Sequence, residues 1–284
     1  MKESKISIVT PSFNQAKFLP WTMRSIILQR YSNLQYVVMD GGSSDGSPDI
    51  IDSYASQLHD WKSAADGGQA DAIHRGFKLT TGDICAWVNS DDLLAPNTLK
   101  FVNAYFQKNP EVDMIYSNRI YVDEENNVNS CWILPKHSNY LMSRWDLIPQ
   151  ETAFWRRSIM DHVGGVDPEF QFAMDYDFFV RLMQAGKCVH LPRFLGAFRS
   201  HPEAKTTLSL GTTGAMEISK IHSKYEIRFP RGSSVLGHTF SKSVQLASNL
   251  FLRRNKSMPG FLHGVGWNYN EHIWGGLLEP NSYV

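Results

Sequence analysis

The chain has 284 residues, enough for one large or two modest domains with a buried core, and its 28 Lys plus Arg balance 28 Asp plus Glu. Neutrality excludes a global basic field of the kind that recruits nucleic acid. Three scattered cysteines, Cys85, Cys131 and Cys188, form neither a zinc pattern nor a disulfide framework, and no uncharged apolar run reaches the roughly 18 residues needed to span a bilayer. The first residues run straight into a strand without a signal-peptide apolar region, so the expected compartment is the reducing cytoplasm.

In chain order, the β-branched run at 5–10 predicts a strand, broken by Pro11-Ser12-Phe13-Asn14. Residues 19–29 carry apolar side chains at helical spacing. A second buried strand at 34–39 ends in Asp40-Gly41-Gly42-Ser43-Ser44-Asp45-Gly46, and short helices are expected over 48–55 and 69–78. The central strand, 84–88, stops abruptly at Asn89-Ser90-Asp91-Asp92. Leu93-Leu94-Ala95-Pro96 should then open a helix, with Pro96 in its first turn. Strand, polar loop and helix in repeated order argue an α/β fold: a right-handed, mostly parallel, Rossmann-like sheet flanked by helices. The loops after Thr10, Met39 and Val88 should therefore open on one edge, where open α/β sheets bind ligands.

After Pro110 the pattern changes. A short strand at 114–116, a hairpin of 120–123 and 128–133, a strand at 153–155, helices at 157–163 and 176–184, and strands at 189–191 and 195–200 complete a first domain, 1–205. A mainly helical extension, 206–284, should hold helices over 213–228 and 234–252, the second with a stripe of Phe240, Val244, Ala247, Leu250 and Phe251. Between Arg228 and Lys256 there are six basic residues and no acid. Such a helix can lie on anionic lipid, or pack on its own domain or on a second copy of the chain.

Several polar residues have chemistry to offer. Asp91 and Asp92, at the end of a buried strand, are hard oxygen donors suited to Mg²⁺ or Mn²⁺, which would in turn hold a diphosphate; a strand-end turn with an Asp helix cap is the plain alternative. Asp40, followed by three glycines within six residues, can accept from a base or a ribose hydroxyl, or merely belong to a Gly-Ser turn capped by Asp45. Asp66-Gly67-Gly68-Gln69-Ala70-Asp71-Ala72-Ile73 opens a helix whose first amides favour anions, and Arg75 either approaches a phosphate or makes an exposed ion pair. Asp175 and Asp177 begin a helix, where one serves as a general base or both cap it. His201 is either a metal ligand or polar surface.

The ordered series Thr10-Pro11-Ser12-Phe13-Asn14, Asp40 to Gly46, Asp66 to Ile73, Asn89-Ser90-Asp91-Asp92 and Met174-Asp175-Tyr176-Asp177 resembles glycosyltransferase family 2 over roughly residues 5–205. The resemblance implies the GT-A fold, a nucleotide-sugar donor, Mn²⁺ or Mg²⁺, and inversion at the anomeric carbon. It implies that Pro11, Ser12 and Asn14 border the nucleotide, that Asp40 contacts the base, usually uracil, and that Asp66, Arg75, Asn89 and Ser90 line the nucleotide-sugar side. Asp91, with His201, would hold the metal; Asp175 would be the base; Gln150, Glu151 and Thr152 would lie near the acceptor. Asn89 and Met174 depart from the family pattern, each replacing an acid.

The expectation is a cytoplasmic transferase, with a peripheral place on the inner face of the membrane open to it through the basic helix. It would move a sugar from a UDP-linked donor to a saccharide or lipid-linked acceptor, in polysaccharide or glycolipid biosynthesis. A non-catalytic nucleotide-sugar sensor or assembly partner on the same fold is the alternative. A nucleotidyltransferase lacks support, because the chain has no Gly-rich basic phosphate loop at its start.

Overall fold

The computed structural model describes residues 3–205, 210–229, 242–244, 246, 248 and 250. Its strands are β1 (Ile6–Ser12), β2 (Leu34–Asp40), β3 (Asp60–Ser63), β4 (Ile84–Trp87), β5 (Leu93–Leu94), β6 (Met114–Val122), β7 (Val128–Trp132), β8 (Phe154–Arg156) and β9 (Cys188–Arg199). The helices are α1 (Leu19–Ile27), α2 (Ser47–Ser53), α3 (Gln69–Lys78), α4 (Thr98–Lys108), α5 (Asn139–Met142), α6 (Arg157–Val163), α7 (Met174–Ala185) and α8 (Ala215–Lys224). One sheet runs in the order β3-β2-β1-β4-β8-β6-β9-β5, with β7 paired to β6.

The sheet is parallel where strand, loop and helix alternate, from β3 to β4, and mixed beyond it, where β8 runs antiparallel to both β4 and β6. Alternation along β1 feeds two cores. Val9 packs with Ala70, Ile73 and Phe77 of α3 and with Phe178 of α7, whereas Ile6 and Ile8 pack with Leu19 and Met23 of α1 and Leu99 and Val102 of α4. The sheet is thus covered on both faces, which explains why β1 is buried along its whole length. Helix α3 lies so close to the sheet that a Cβ on Gly76 would stand 2.4 Å from Val9 Cγ1.

Four departures from the sequence reading have local causes. Strand β1 continues through Pro11 to Ser12. Val9 offers its carbonyl to Val88 on the β4 side, so Pro11, two residues on, faces the same side just past the β4 ladder, where its missing N–H breaks no bond. Leu93 and Leu94 are not a helix start but a buried strand antiparallel to β9, and the helix opens only at Thr98, after Asn97 in a left-handed turn. The separate strands expected in 114–123 and 189–200 are single long strands, because neighbours satisfy their polar middles: Asn118 Oδ1 accepts from Leu134 N and meets His190 Nε2. Strand β3 is a short polar edge strand with no apolar run to reveal it.

In the extension, the helix expected over 213–228 is observed as α8, entered through a wide turn at Leu210–Gly214. Val244 and Leu250, expected on one stripe, lie on different faces: Val244 is buried and Leu250 is 56% exposed. Phe240, Ala247 and Phe251 lie outside the described residues. Among the described residues no helix is long and apolar enough to cross a membrane.

Candidate active site

The parallel register brings the ends of β1, β2 and β4 to one edge: Ser12 lies beside Asp40, and Val9 beside Trp87. Asp40 is buried, and its Oδ2 accepts from Gly42 N at 3.1 Å, Ser43 N at 2.9 Å and Ser63 Oγ at 2.7 Å, while its Oδ1 accepts from Ser43 Oγ. Its first task is therefore to shape its own loop. Asn14, at a φ of 52°, ties that loop to the end of β1 through Ser44 N, which donates to its Oδ1 at 3.0 Å, and through its own N–H to Ser43 Oγ at 2.8 Å. Asp45 accepts from Ala16 N and from Ser47 N and Oγ, and those bonds hold its carboxyl below the ordinary range although burial opposes them.

Between these two loops the chain leaves a ready surface. Phe13 is 61% exposed, and both its ring and the Asp66 carboxylate stand 3.3 Å from where a Cβ on Gly41 would sit. Ser12 Oγ is buried there without a partner among the described residues. Asp66 Oδ1 accepts from Gly68 N at 2.8 Å, and Arg75 pairs with Asp71 at 3.5 Å, one helical turn earlier.

The Asn89-Ser90-Asp91-Asp92 turn divides its two acids. Asp92 points inward, 1% exposed, accepting from Arg199 N at 3.1 Å and Asn89 Nδ2 at 3.3 Å; desolvation and then the Asp91 and Glu151 charges raise its carboxyl well above the ordinary value. Asp91 keeps its side chain 21% exposed and meets His201 Nε2 at 3.1 Å across 110 residues of sequence. Arg199 locks this junction by donating to Asp91 O, Asp123 O and Asn126 Oδ1, with Phe18 against both it and the His201 ring. Asn89 accepts from Gln69 Nε2 at 2.8 Å while donating to Asp92, a double role that a carboxylate could not fill beside a buried acid. Ser90 is buried in the same turn.

One carboxylate and one imidazole fit a divalent ion that is held jointly with a ligand's phosphates. Mg²⁺ in particular is commonly bound through one or two carboxylates, phosphate oxygens and waters. Among the described residues no cluster of three or more His, Cys, Asp or Glu could cage an ion by itself.

The second half of the site lies at the start of α7. Asp175 Oδ1 accepts from Tyr176 N at 2.9 Å; desolvation raises its carboxyl above the ordinary value, opposed by that N–H, its own backbone, and the charges of Arg119 and Lys205. Lys205 donates to Gln69 Oε1 at 3.1 Å and to Gln171 O, so contacts and charge run Asn89–Gln69–Lys205–Asp175 from one half to the other. Asp177 is spent elsewhere: it is buried and bound by Arg181 at 2.7 Å, Lys224 at 3.1 Å and Tyr225 at 2.7 Å. Met174, where the family has an acid, is buried in the core.

Gln150, Glu151 and Thr152 are buried and commit polar atoms to the sheet. Gln150 Nε2 donates to Trp87 O at 2.7 Å, Glu151 takes a two-pronged grip from Arg119 at 2.8 and 2.7 Å, and Thr152 Oγ1 accepts from Ser117 N at 3.0 Å. Only Gln150 Oε1 is left without a partner among their buried side-chain atoms.

Sequence reasoning passed over Phe13, Arg119, Asp146 and Lys205. Phe13 carried a signal, an aromatic inside a polar strand-end loop. Arg119 sits in the middle of a long strand, yet its charge acts on Asp92, Asp146 and Asp175. Asp146 is raised well above the ordinary carboxylate value by desolvation and then by the charge of Asp175. Neither Arg119 nor Asp146 nor Lys205 stands in a motif, so nothing local marks them.

A parallel half-sheet with ligating groups at its carboxyl edge, joined to a mixed half that brings in a second acidic helix end, is the architecture of GT-A glycosyltransferases. It matches S. aureus TarS 1-349 in complex with UDP at a TM-score of 0.59 and 20% identity, over 70% of this chain and 61% of that one. The mannosyltransferase PcManGT from Pyrobaculum calidifontis, in complex with GDP-Man and Mn2+, matches at 0.61 and 17%, over 81% and 66%. The chain thus spans about three-fifths of that TarS structure. Residues 7–162 match the Glycosyl transferase family 2 profile, and the chain belongs to that family. Its sequence is 24% identical to an uncharacterized glycosyltransferase of Nostoc sp. over 95% of this chain and 86% of the relative. It is 28% identical to the PGL/p-HBAD biosynthesis glycosyltransferase of Mycobacterium tuberculosis over 64% of this chain and 70% of that protein.

Proposed function

We propose that the protein transfers a sugar from a nucleoside diphosphate, UDP being the expected one, to a hydroxyl of a saccharide or lipid-linked acceptor with inversion. One observation carries the reading: contacts and charge run from the turn that holds the Asp91–His201 pair, through Asn89, Gln69 and Lys205, to the raised carboxyl of Asp175. A UDP complex of TarS and a GDP-Man and Mn2+ complex of PcManGT, both on this fold, support it.

In this reading Phe13 and Gly41 offer a flat, open face to the base, with Pro11, Ser12, Asn14, Asp40 and Asp66 around it. Ser12 Oγ, buried and unpartnered, is the donor or acceptor held in reserve for that ligand. Asn89 and Ser90 border the sugar, and Arg75 can swing from its exposed pair toward a phosphate. Asp91 and His201 would hold Mn²⁺ or Mg²⁺, which when bound supplies Lewis-acid stabilisation of the departing diphosphate. Asp175 takes the proton from the acceptor hydroxyl as that oxygen attacks the anomeric carbon, and its raised pKa brings it nearer to a useful basicity at neutral pH. Gln150, Glu151 and Thr152 hold the acceptor side in place from beneath, through Arg119.

The extension supports a peripheral place at the inner face of a membrane. Ser248 docks its helix on β7, accepting from Ile133 N at 2.9 Å, while Leu246 and Leu250, one turn apart, remain 61% and 56% exposed. Calorimetry with UDP in Mn²⁺ and in chelator tests the core of the proposal. Binding to the parent should require the metal, and Asp91→Ala should lose that requirement together with most of the affinity. Equal affinity of variant and parent in Mn²⁺ would remove Asp91 from the metal site. The product anomer, read by NMR, should be inverted relative to the donor.

A further inference from the structure

Helix α7 begins without a cap of its own, because Ala173 at its N-cap position has no side-chain acceptor for the free N–H groups. A residue 44 positions later instead ties down the backbone that leads into it. Glu217, in the first turn of α8, accepts from Gln171 N at 2.9 Å with Oε1 and from Phe172 N and Ala173 N, both at 2.8 Å, with Oε2. These are three charge-assisted bonds to consecutive backbone groups, the strong kind. Gly214 seats α8 directly on the same stretch, since a Cβ there would stand 2.7 Å from the Phe172 ring.

The residues after Asp175 are held by the same helix. Tyr176 OH meets His222 Nε2 at 2.9 Å, and Asp177 accepts from Lys224 at 3.1 Å and Tyr225 OH at 2.7 Å. Asp175 thus lies between two flanks held by α8 and the residue that follows it, while its own carboxyl is left to the side where Lys205 and Arg119 act on it. Gln171, whose N–H Glu217 fixes, also reaches Gly67 O and takes the Lys205 bond, so the clamp extends to the donor-side loop.

We propose that Glu217 is a positioning residue for the base, and that α8 is a working part of the active site rather than an appendage to it. This rests on the assignment of Asp175 as the base. Misplacing a reacting group by about 1 Å costs on the order of 10²-fold in rate. In the full-length chain, Glu217→Ala should lower kcat roughly tenfold to a hundredfold. The affinity and stoichiometry for UDP with Mn²⁺ should stay at parental values.

The pH profile separates positioning from general loss of structure. With the end of α7 loosened, Asp175 becomes better solvated, and the acid limb of kcat should move to lower pH. Hydrogen exchange of the 171–173 amides should quicken. Glu217→Gln, which keeps one acceptor oxygen and the side-chain bulk, should lie between variant and parent, and it carries the test if the alanine variant does not fold. Unchanged exchange at 171–173 would overturn the clamp whether or not the parent transfers sugar. An active parent with unchanged kcat and pH profile in the variant would overturn its catalytic role. A parent that transfers no sugar from any donor would sink the functional reading instead, leaving the exchange result to decide the clamp.

Discussion

The two halves of the sheet use polar residues over very different ranges. In the parallel half, Asp40 bonds to residues two and three positions on and to Ser63, 23 positions on; Asp45 bonds to Ser47, two positions on, and to Ala16, 29 positions back; and Asn14 bonds to the adjoining loop about thirty residues away. Where that half meets the mixed one, Asp91 meets His201 110 residues away and Asp92 meets Arg199 across 107, and within the mixed half Asp177 meets Tyr225 across 48. Acids in the first half build the walls of a groove. Acids in the second half join separate elements, and the groups proposed for catalysis lie at those junctions. The contrast explains why motifs reveal the first half so clearly: its loops carry several of their partners within a few residues and most of the others in the neighbouring strand-end loop.

The largest expected effect tests whether the mixed half holds the chemistry. Asp175→Asn is nearly isosteric and should leave UDP and metal binding intact while transfer falls by roughly 10²–10⁴. Retained transfer would place the base elsewhere. Asp177→Asn, two residues on, should instead cost roughly 2–3 kcal/mol of stability, since it removes charge-assisted bonds to Arg181 and Lys224, with transfer per folded molecule changed far less. Chemical denaturation beside steady-state kinetics distinguishes the two.

A third substitution tests the join between Glu151 and the sheet. A Cβ at Gly196 would stand 2.6 Å from Glu151 O, so Gly196→Ala should displace the loop that holds Arg119 and lose roughly 1–3 kcal/mol. A variant as stable as the parent would mean that the loop yields freely.

Acid should weaken the mixed half through its half-buried histidines. Desolvation lowers His190 from 6.5 to about 4, with His137 adding to the shift, and His137 is itself lowered by desolvation. The unfolded chain therefore binds more protons than the folded one between those values, so stability is present above pH 6.5 and is lost as pH falls toward 4. The raised carboxyls of Asp92, Asp146 and Asp175 act in the opposite sense, so the expected result is a difference: from pH 6.5 to 4 the melting temperature of the parent should change in the destabilising direction relative to that of His190→Gln. Smallest of all, Arg75→Ala should change stability by less than about 0.5 kcal/mol, because its pair with Asp71 is an exposed one-turn contact. A clear loss of UDP affinity in that variant would show that the arginine leaves Asp71 for the phosphate.

The sequence by itself determined the order of strand, loop and helix through α3 except for β3, the common edge of three loops, and the acids of the Asp40 and Asp91 turns. Periodicity and turn chemistry act within one element, so they can be read from one segment. The resemblance also put Asp175 ahead of Asp177; only the structure showed that Asp177 is consumed by Arg181, Lys224 and Tyr225. Leu93 and Leu94 read as a helix start because the strand that pairs with them lies a hundred residues later, and β3 left no signal because an edge strand needs little apolar surface. Lys205, Arg119 and Glu217 were invisible for the same reason. A buried or clamping charge is defined by the groups that surround it, and those groups meet only when the sheet has closed and α8 has packed on α7.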